Sequence, residues 1–201
     1  ADFHQVVAEM ADIPRSQAKT INLGMFYGMG KAKLAQQLGI DLEAAKAILE
    51  AYNLKVPFVK MLSNRCMTTA DKKGSVVTIK GRHCRFDRWE PKTFGIHKSM
   101  TREEAESKYE RGSIKRAMTY KALNRLIQGS AADQTKQAML DCYNNGHRPL
   151  LQIHDELCFN INGKEDEDNI KNQMEHCLDD VPMKVPSKVD IAIGDNWGEA
   201  T

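Results

Sequence analysis

The sequence predicts an α+β fold, mainly helical in its N-terminal part and carrying an antiparallel β-hairpin near its C-terminal end. Three observations lead there. Apolar residues recur at helical spacing through most of residues 1–73. The period changes at Ser75, where Val76, Val77 and Ile79 make a β-prone run. Later, two short apolar runs flank His154-Asp155 in the stretch LLQIHDELCFNI, the pattern of a hairpin with a two-residue turn.

The chain has 201 residues and is 41% hydrophobic, enough for one core or for two subdomains sharing one. It lacks a run of eighteen apolar residues and a basic-then-apolar leader, so neither a membrane span nor a secretory signal is expected, and a cytoplasmic location is. The net charge of +2 requires a nucleic-acid binder to gather its cations on one surface. Five scattered cysteines without a Cys-x-x-Cys pair point to a reducing compartment and away from structural zinc.

In order along the chain, Phe3, Val6, Val7 and Met10 mark a first helix, on which His4 precedes Arg15 by eleven residues. The next helix, 15–30, has one working face. Arg15, Lys19, Leu23 and Tyr27 recur every fourth residue and form a single stripe. Four residues of helix rise about 6 Å, a spacing that suits a nucleoside triphosphate lying along it. Arg15 and Lys19 would hold phosphates as a planar fork and a point charge, with Leu23 and Tyr27 beside sugar and base. A solvated cationic face edging a core stripe would show the same pattern. Gly24 and Gly28 lie off this face, and Gly28 or Gly30 could end the helix.

Lys31 to Leu38 reads as a helix closed by Gly39, Asp41 caps another that runs to about Asn53, and Pro57 opens a fifth that Gly74 stops. Their apolar faces are packing. Beyond the Gly81-Arg82 turn, Arg82, Arg85 and Arg88 interleave with Phe86 and Trp89, either a nucleic-acid contact or an exposed basic loop. Residues 90–100 are loop-like, and Thr101 with Glu104 makes a capping box for a short helix. A long helix is expected over 113–145, with Lys121, Asn124 and Gln128 on one face. After the hairpin of 150–161, an acidic-faced helix spans 163–180, Pro182 breaks it, and residues 185–193 are expected to form a last strand.

The string Arg-x3-Lys-x7-Tyr-Gly, here Arg15, Lys19, Tyr27 and Gly28, resembles motif B, the nucleotide-binding fingers helix of family A DNA polymerases. Asp2-Phe3-His4 is similar to the segment whose histidine contacts the triphosphate in that family, with a phage-type spacing to motif B. ALNRLIQGSAAD resembles a palm helix, and His154-Asp155-Glu156 resembles motif C. These blocks stand in the family's order. The resemblance implies a fingers subdomain over 1–112 and the C-terminal part of a palm over 113–201. It assigns dNTP binding to His4, Arg15, Lys19, Leu23 and Tyr27, and primer-template contacts to Asn124, Gln128, His154, Tyr27 and Gly28. Asp155 is the implied metal ligand, with Glu156 and Lys19 assisting catalysis. Leu23 departs from the family, which usually has Phe or Tyr there.

What the resemblance implies in function is template-directed nucleotidyl transfer from dNTP to a primer 3′-hydroxyl, using two magnesium ions. The family's second aspartate, from motif A, precedes the Asp-x-His segment, and His4 is too near the start of this sequence to leave room for it. Glu9 and Asp12 remain candidate substitutes. The expected partners are therefore primer-template DNA, dNTPs and an upstream half carrying motif A and the thumb, with no membrane. The rival from another class is a non-catalytic nucleic-acid-binding module with a polymerase-derived fold. A single-subunit RNA polymerase is disfavoured because its motif C usually ends in serine rather than Glu156.

Overall fold

The computed structural model describes residues 3–11, 13–26, 29–93 and 98–200. Its helices are α1 (Phe3–Ala11), α2 (Arg15–Phe26), α3 (Lys31–Leu38), α4 (Leu42–Lys55), α5 (Pro57–Lys73), α6 (Arg102–Lys108), α7 (Ala122–Asn144) and α8 (Lys164–His176). Short antiparallel pairs join β1 (Ser75–Val77) to β2 (His83–Arg85), β3 (Trp89–Pro91) to β4 (Ile114–Arg116), and β5 (Leu151–Ile153) to β6 (Glu156–Cys158). The α+β class expected from the sequence is the class observed. The chain divides into two compact units, 1–77 with 83–127 and 78–82 with 128–201. Among the described residues no helix is long and apolar enough to cross a membrane.

The first unit is built on α1 to α5. Ala18, Ile21, Leu34, Ala45, Tyr52, Val56 and Val59 are buried together, and side chains the size of Ile21 and Leu34 each contribute about 1.5–3 kcal/mol by leaving water. The helix ends follow local chemistry. The Asp41 carboxylate accepts from the Ala44 N–H at 2.8 Å, Pro57 occupies the first position of α5, and Gly39 and Gly74 close α3 and α5 in the left-handed conformation. Gly74 has a second constraint, because a Cβ there would lie 2.8 Å from the Arg116 guanidinium carbon. That guanidinium donates to the carbonyls of Asp71 and Phe86.

Two helical expectations are corrected, and the helix expected over 163–180 is shorter, running Lys164–His176. The helix expected to reach residue 30 is described through Phe26; the Met29 N–H returns to the Gly24 carbonyl at 2.7 Å, and Gly30 is extended as the N-cap of α3. A bond spanning five residues closes a helix rather than lengthening it. The helix expected from 113 begins instead at Ala122. Ile114 to Arg116 pairs with Trp89 to Pro91, Ile114 is buried with Met100 and Ala105, and Met118 is left-handed at φ 59°. A helix cannot run through an element whose backbone is already engaged by a strand and then broken by a left-handed residue. The Trp89 ring in β3 is approached by the guanidinium groups of Arg116 and Arg102, 4.9 and 5.3 Å from its centre. The capping box at Thr101 and Glu104 forms in both directions.

In the second unit, α7 contributes its residues from Gln128 onward, and Ala138, Cys177 and Leu178 form the core, with Leu157, Met174 and Val181 against it. The β1–β2 turn belongs here. Arg82 donates to the Asp133 carboxylate and the Gly129 carbonyl, both at 2.8 Å, Ile79 N–H reaches Ser130 Oγ, and Lys80 pairs with Asp180 at 2.7 Å. The acidic first turn of α8, Glu165 to Glu167, suits the positive end of a helix. The strand expected over 185–193 is absent. The Val189 N–H donates to the Glu175 carboxylate and the Gln134 amide donates to the Ser187 hydroxyl oxygen, and among the described residues no strand is paired with the segment to make a ladder.

Burial works against ionisation of Asp133, yet the Thr78 hydroxyl and the Arg82 guanidinium hold its carboxyl below the ordinary aspartate range. Its folded pKa is depressed, so the stabilisation is present above the unfolded value and is lost as pH falls through the folded one. Asp133→Asn is expected to lower the urea midpoint at neutral pH, with the difference from the parent shrinking in acid. A difference independent of pH would remove the charge from the account. Because half of the Arg82 side chain is exposed, the pair is worth about 1 kcal/mol rather than the value of a fully buried one.

Candidate active site

In the first unit, α2 turns two different faces outward and inward. Ala18, Ile21, Asn22 and Gly24 are buried, whereas Arg15, Lys19 and Leu23 are exposed one turn apart. Leu23 is 43% exposed, an apolar side chain in line with two cations. Gly24 lies on the buried face, where a Cβ would meet the end of the Met29 side chain and displace it. Tyr27 and Gly28, expected on or beside this stripe, lie outside the described residues, as does Asp12.

His4 is half-buried on α1 and is held from behind. Asn22 and His4 Nδ1 are 3.1 Å apart, and the Tyr52 hydroxyl donates to Asn22 Oδ1 at 2.7 Å. Burial pushes the Tyr52 hydroxyl pKa up to about 12, so it acts as a donor. The sequence reading missed Asn22 and Tyr52. The available signal was an amide on the apolar face of an amphipathic helix, which must find partners when buried.

Asn124 and Gln128 follow one another by a helical turn on α7, the first half-buried and the second exposed. Arg125 on the same helix, and part of the arginine-rich stretch 82–88, are occupied within the protein. Arg125 donates to the Arg85 carbonyl at 2.6 Å and stacks on Phe86 at 4.5 Å. Phe86 is buried and Arg82, about half exposed, is paired with Asp133, whereas Arg85 and Arg88 are exposed. Arg88 approaches Ser99.

In the second unit, Ile153 pairs with Glu156 and His154-Asp155 forms the two-residue turn, as expected. His154 is left-handed at φ 53°, a conformation favoured by primed hairpin turns. Asp155 is exposed at the tip of this turn. Glu156 accepts from the Trp197 indole N–H at 3.1 Å and sits near the Cys158 thiol, whose pKa is raised by burial and by that carboxylate. A cleft of about 890 Å³ runs beside the hairpin, lined by Asp155, Glu156, α8 residues and residues 188–197. Among the described residues no group of three His, Cys, Asp or Glu is arranged to hold a metal ion. A single hard carboxylate on an exposed tip still fits magnesium, which takes one or two protein carboxylates and completes its shell with water and phosphate.

The model of DNA polymerase family A matches residues 1–199. The chain is 34% identical to a DNA-directed DNA polymerase of Pseudomonas phage M6, an alignment covering 99% of this chain and 31% of that protein. It is 32% identical to DNA polymerase I of Helicobacter pylori, over 94% of this chain and 20% of the relative. Among solved structures it resembles the POL domain of Pol1 from M. smegmatis, in complex with DNA primer-template and dNTP, with a TM-score of 0.76 and 31% identity over 99% of this chain and 35% of that one. The chain thus spans about a third or less of the length of these relatives.

Proposed function

The chain belongs to DNA polymerase family A, and from that premise we propose that it is the fingers and C-terminal palm portion of a template-directed DNA polymerase. Residues 1–112 would serve as fingers and 113–201 as palm, a division by role that need not follow the packing units. The polymerase would act on primer-template DNA and dNTPs in a bacterial or phage-infected cytoplasm. The observation that carries the reading is the exposed stripe of Arg15, Lys19 and Leu23 on a helix whose other face is sealed into the core.

In this reading Arg15 and Lys19 bind and orient the triphosphate, His4 donates a third hydrogen bond to it, and Leu23 rests against the sugar and base. Tyr27 and Gly28 follow toward the template. Asn124 and Gln128 hydrogen-bond the minor groove, where acceptors are similar on every base pair, so amides test shape without selecting sequence. His154 meets the primer end and Glu156 supports the hairpin beside the reacting groups. Asp155 would hold magnesium, two ions in all, together with a carboxylate from an upstream half carrying motif A. When bound, the metal supplies charge neutralisation at the phosphates and lowers the pKa of the attacking hydroxyl. Positioning by the protein is the larger part of such a reaction.

The test is primer extension with magnesium and four dNTPs, using this chain alone and then mixed with a polypeptide carrying the upstream half. Extension only in the mixture supports the reading. Activity of the chain alone would overturn the assignment of an outside carboxylate, and inactivity in both would favour a nucleic-acid-binding module without chemistry. In the active mixture, Leu23→Phe is expected to change incorporation rate or the acceptance of sugar-modified analogues about two- to tenfold, the worth of one aromatic contact. An unaltered nucleotide profile would take Leu23 out of the site.

A further inference from the structure

Three residues far apart in sequence make one continuous hydrogen-bonded line in the first unit. Tyr52 on α4 is fully buried, Asn22 on α2 is 1% exposed, and His4 on α1 is half-buried. The Tyr52 hydroxyl is held in its protonated form by burial, so toward Asn22 Oδ1 it is the donor. That bond decides which way the amide faces, and turns Asn22 Nδ2 to His4 Nδ1. An amide nitrogen has only protons to offer. The ring nitrogen it meets must therefore accept, and the neutral imidazole carries its proton on Nε2.

We infer that Asn22 and Tyr52 are positioning residues for nucleotide binding, a buried relay that fixes His4 as the Nε2–H tautomer so that this N–H donates to a phosphate oxygen. The inference rests on the reading of His4 as a triphosphate contact and adds what makes the contact work. A histidine with the other tautomer would turn a lone pair toward the phosphate and repel it. The relay also explains a polar side chain in the middle of the buried face of α2, where an apolar residue would cost nothing in desolvation. It leaves the cationic stripe untouched, because Asn22 lies off the face of Arg15, Lys19 and Leu23. Asn22→Asp reverses the logic: a carboxylate only accepts, so in the neutral imidazole it would draw the ring proton to Nδ1 and leave Nε2 as an acceptor.

The test is long-range proton–nitrogen NMR on the 201-residue chain labelled with ¹⁵N-histidine, with His4 assigned by difference from His4→Gln. The expected spectrum of the unaltered chain has a protonated, pyrrole-type Nε2 and an unprotonated Nδ1 at His4. It needs no variant to fold apart from the assignment control. Tyr52→Phe is expected to mix the tautomers and Asn22→Asp to move the proton to Nδ1. Titration with dATP and magnesium is then expected to weaken on the order of tenfold for Asn22→Asp and for His4→Gln, the worth of one lost charge-assisted hydrogen bond. A proton on Nδ1 in the unaltered chain, or a His4 spectrum indifferent to both relay variants, would overturn the relay. Weaker binding in His4→Gln with unchanged binding in a folded Asn22→Asp would overturn its role in nucleotide binding. If His4→Gln itself binds dATP as the parent does, the assignment of His4 to the triphosphate fails, while the tautomer spectrum still judges the lock on its own.

Discussion

Asp155→Ala, in the polymerase completed by its upstream half, is expected to abolish primer extension while leaving primer-template affinity unchanged. The side chain is an exposed turn residue that makes no contribution to the core of its unit, so the cost in stability should stay within about 0.5 kcal/mol. The cost in rate is of another order. On the proposed role of Asp155 as a metal ligand, its removal forfeits several kcal/mol of charge stabilisation, at least about a thousandfold. Single-turnover extension and a DNA-binding titration on the same preparation separate the two effects. Asp155→Asn keeps the turn geometry and removes only the charge, so it should be equally inactive. Normal extension by either variant would sink the assignment of motif C.

Lys19→Ala is expected to lower kcat/KM for every dNTP by about 10²–10³, the usual consequence of removing one preorganised charge aimed at developing negative charge. The substitution sits on the exposed face of α2 and replaces lysine by the best helix former, so folding should be undisturbed. Arg15 offers a second cation one turn away, and the loss should therefore fall on the nucleotide step and not on DNA binding. The check is a kcat and KM pair measured for each dNTP alongside duplex affinity. A loss confined to duplex affinity would turn the stripe into a nucleic-acid-backbone contact.

Where the determinants are local, the fold could be read from the chain. Asp41, Pro57, Gly39, Gly74 and the Thr101–Glu104 box each set a helix end using neighbours within four residues, and each was legible. The stripe of Arg15, Lys19 and Leu23 was legible for the same reason, because helical period alone aligns it. What escaped depends on distant partners. β4 exists because Trp89 to Pro91, some twenty-five residues earlier, completes its ladder, and nothing in Ile-Lys-Arg announces that. Arg82 pairs with Asp133, 51 residues on, which its own neighbourhood in sequence does not announce. His4, Asn22 and Tyr52 are separated by 18 and 30 residues, so the relay becomes visible only when three helices are assembled. The absent strand at 185–193 makes the same point from the other side, since alternating apolar residues describe a strand only where another backbone receives it.

The sequence contains two tryptophans, and they fall one to each compact unit. Trp89 meets two guanidinium groups over its ring in the first, and Trp197 donates its indole N–H to the hairpin carboxylate Glu156 in the second. The molecule thus has a separate intrinsic fluorophore in each unit. Emission from a Trp89→Phe chain reports on the surroundings of the hairpin alone, and emission from a Trp197→Phe chain on the arginine-stacked sheet alone. Loss of order in either unit can be followed optically without attaching a dye.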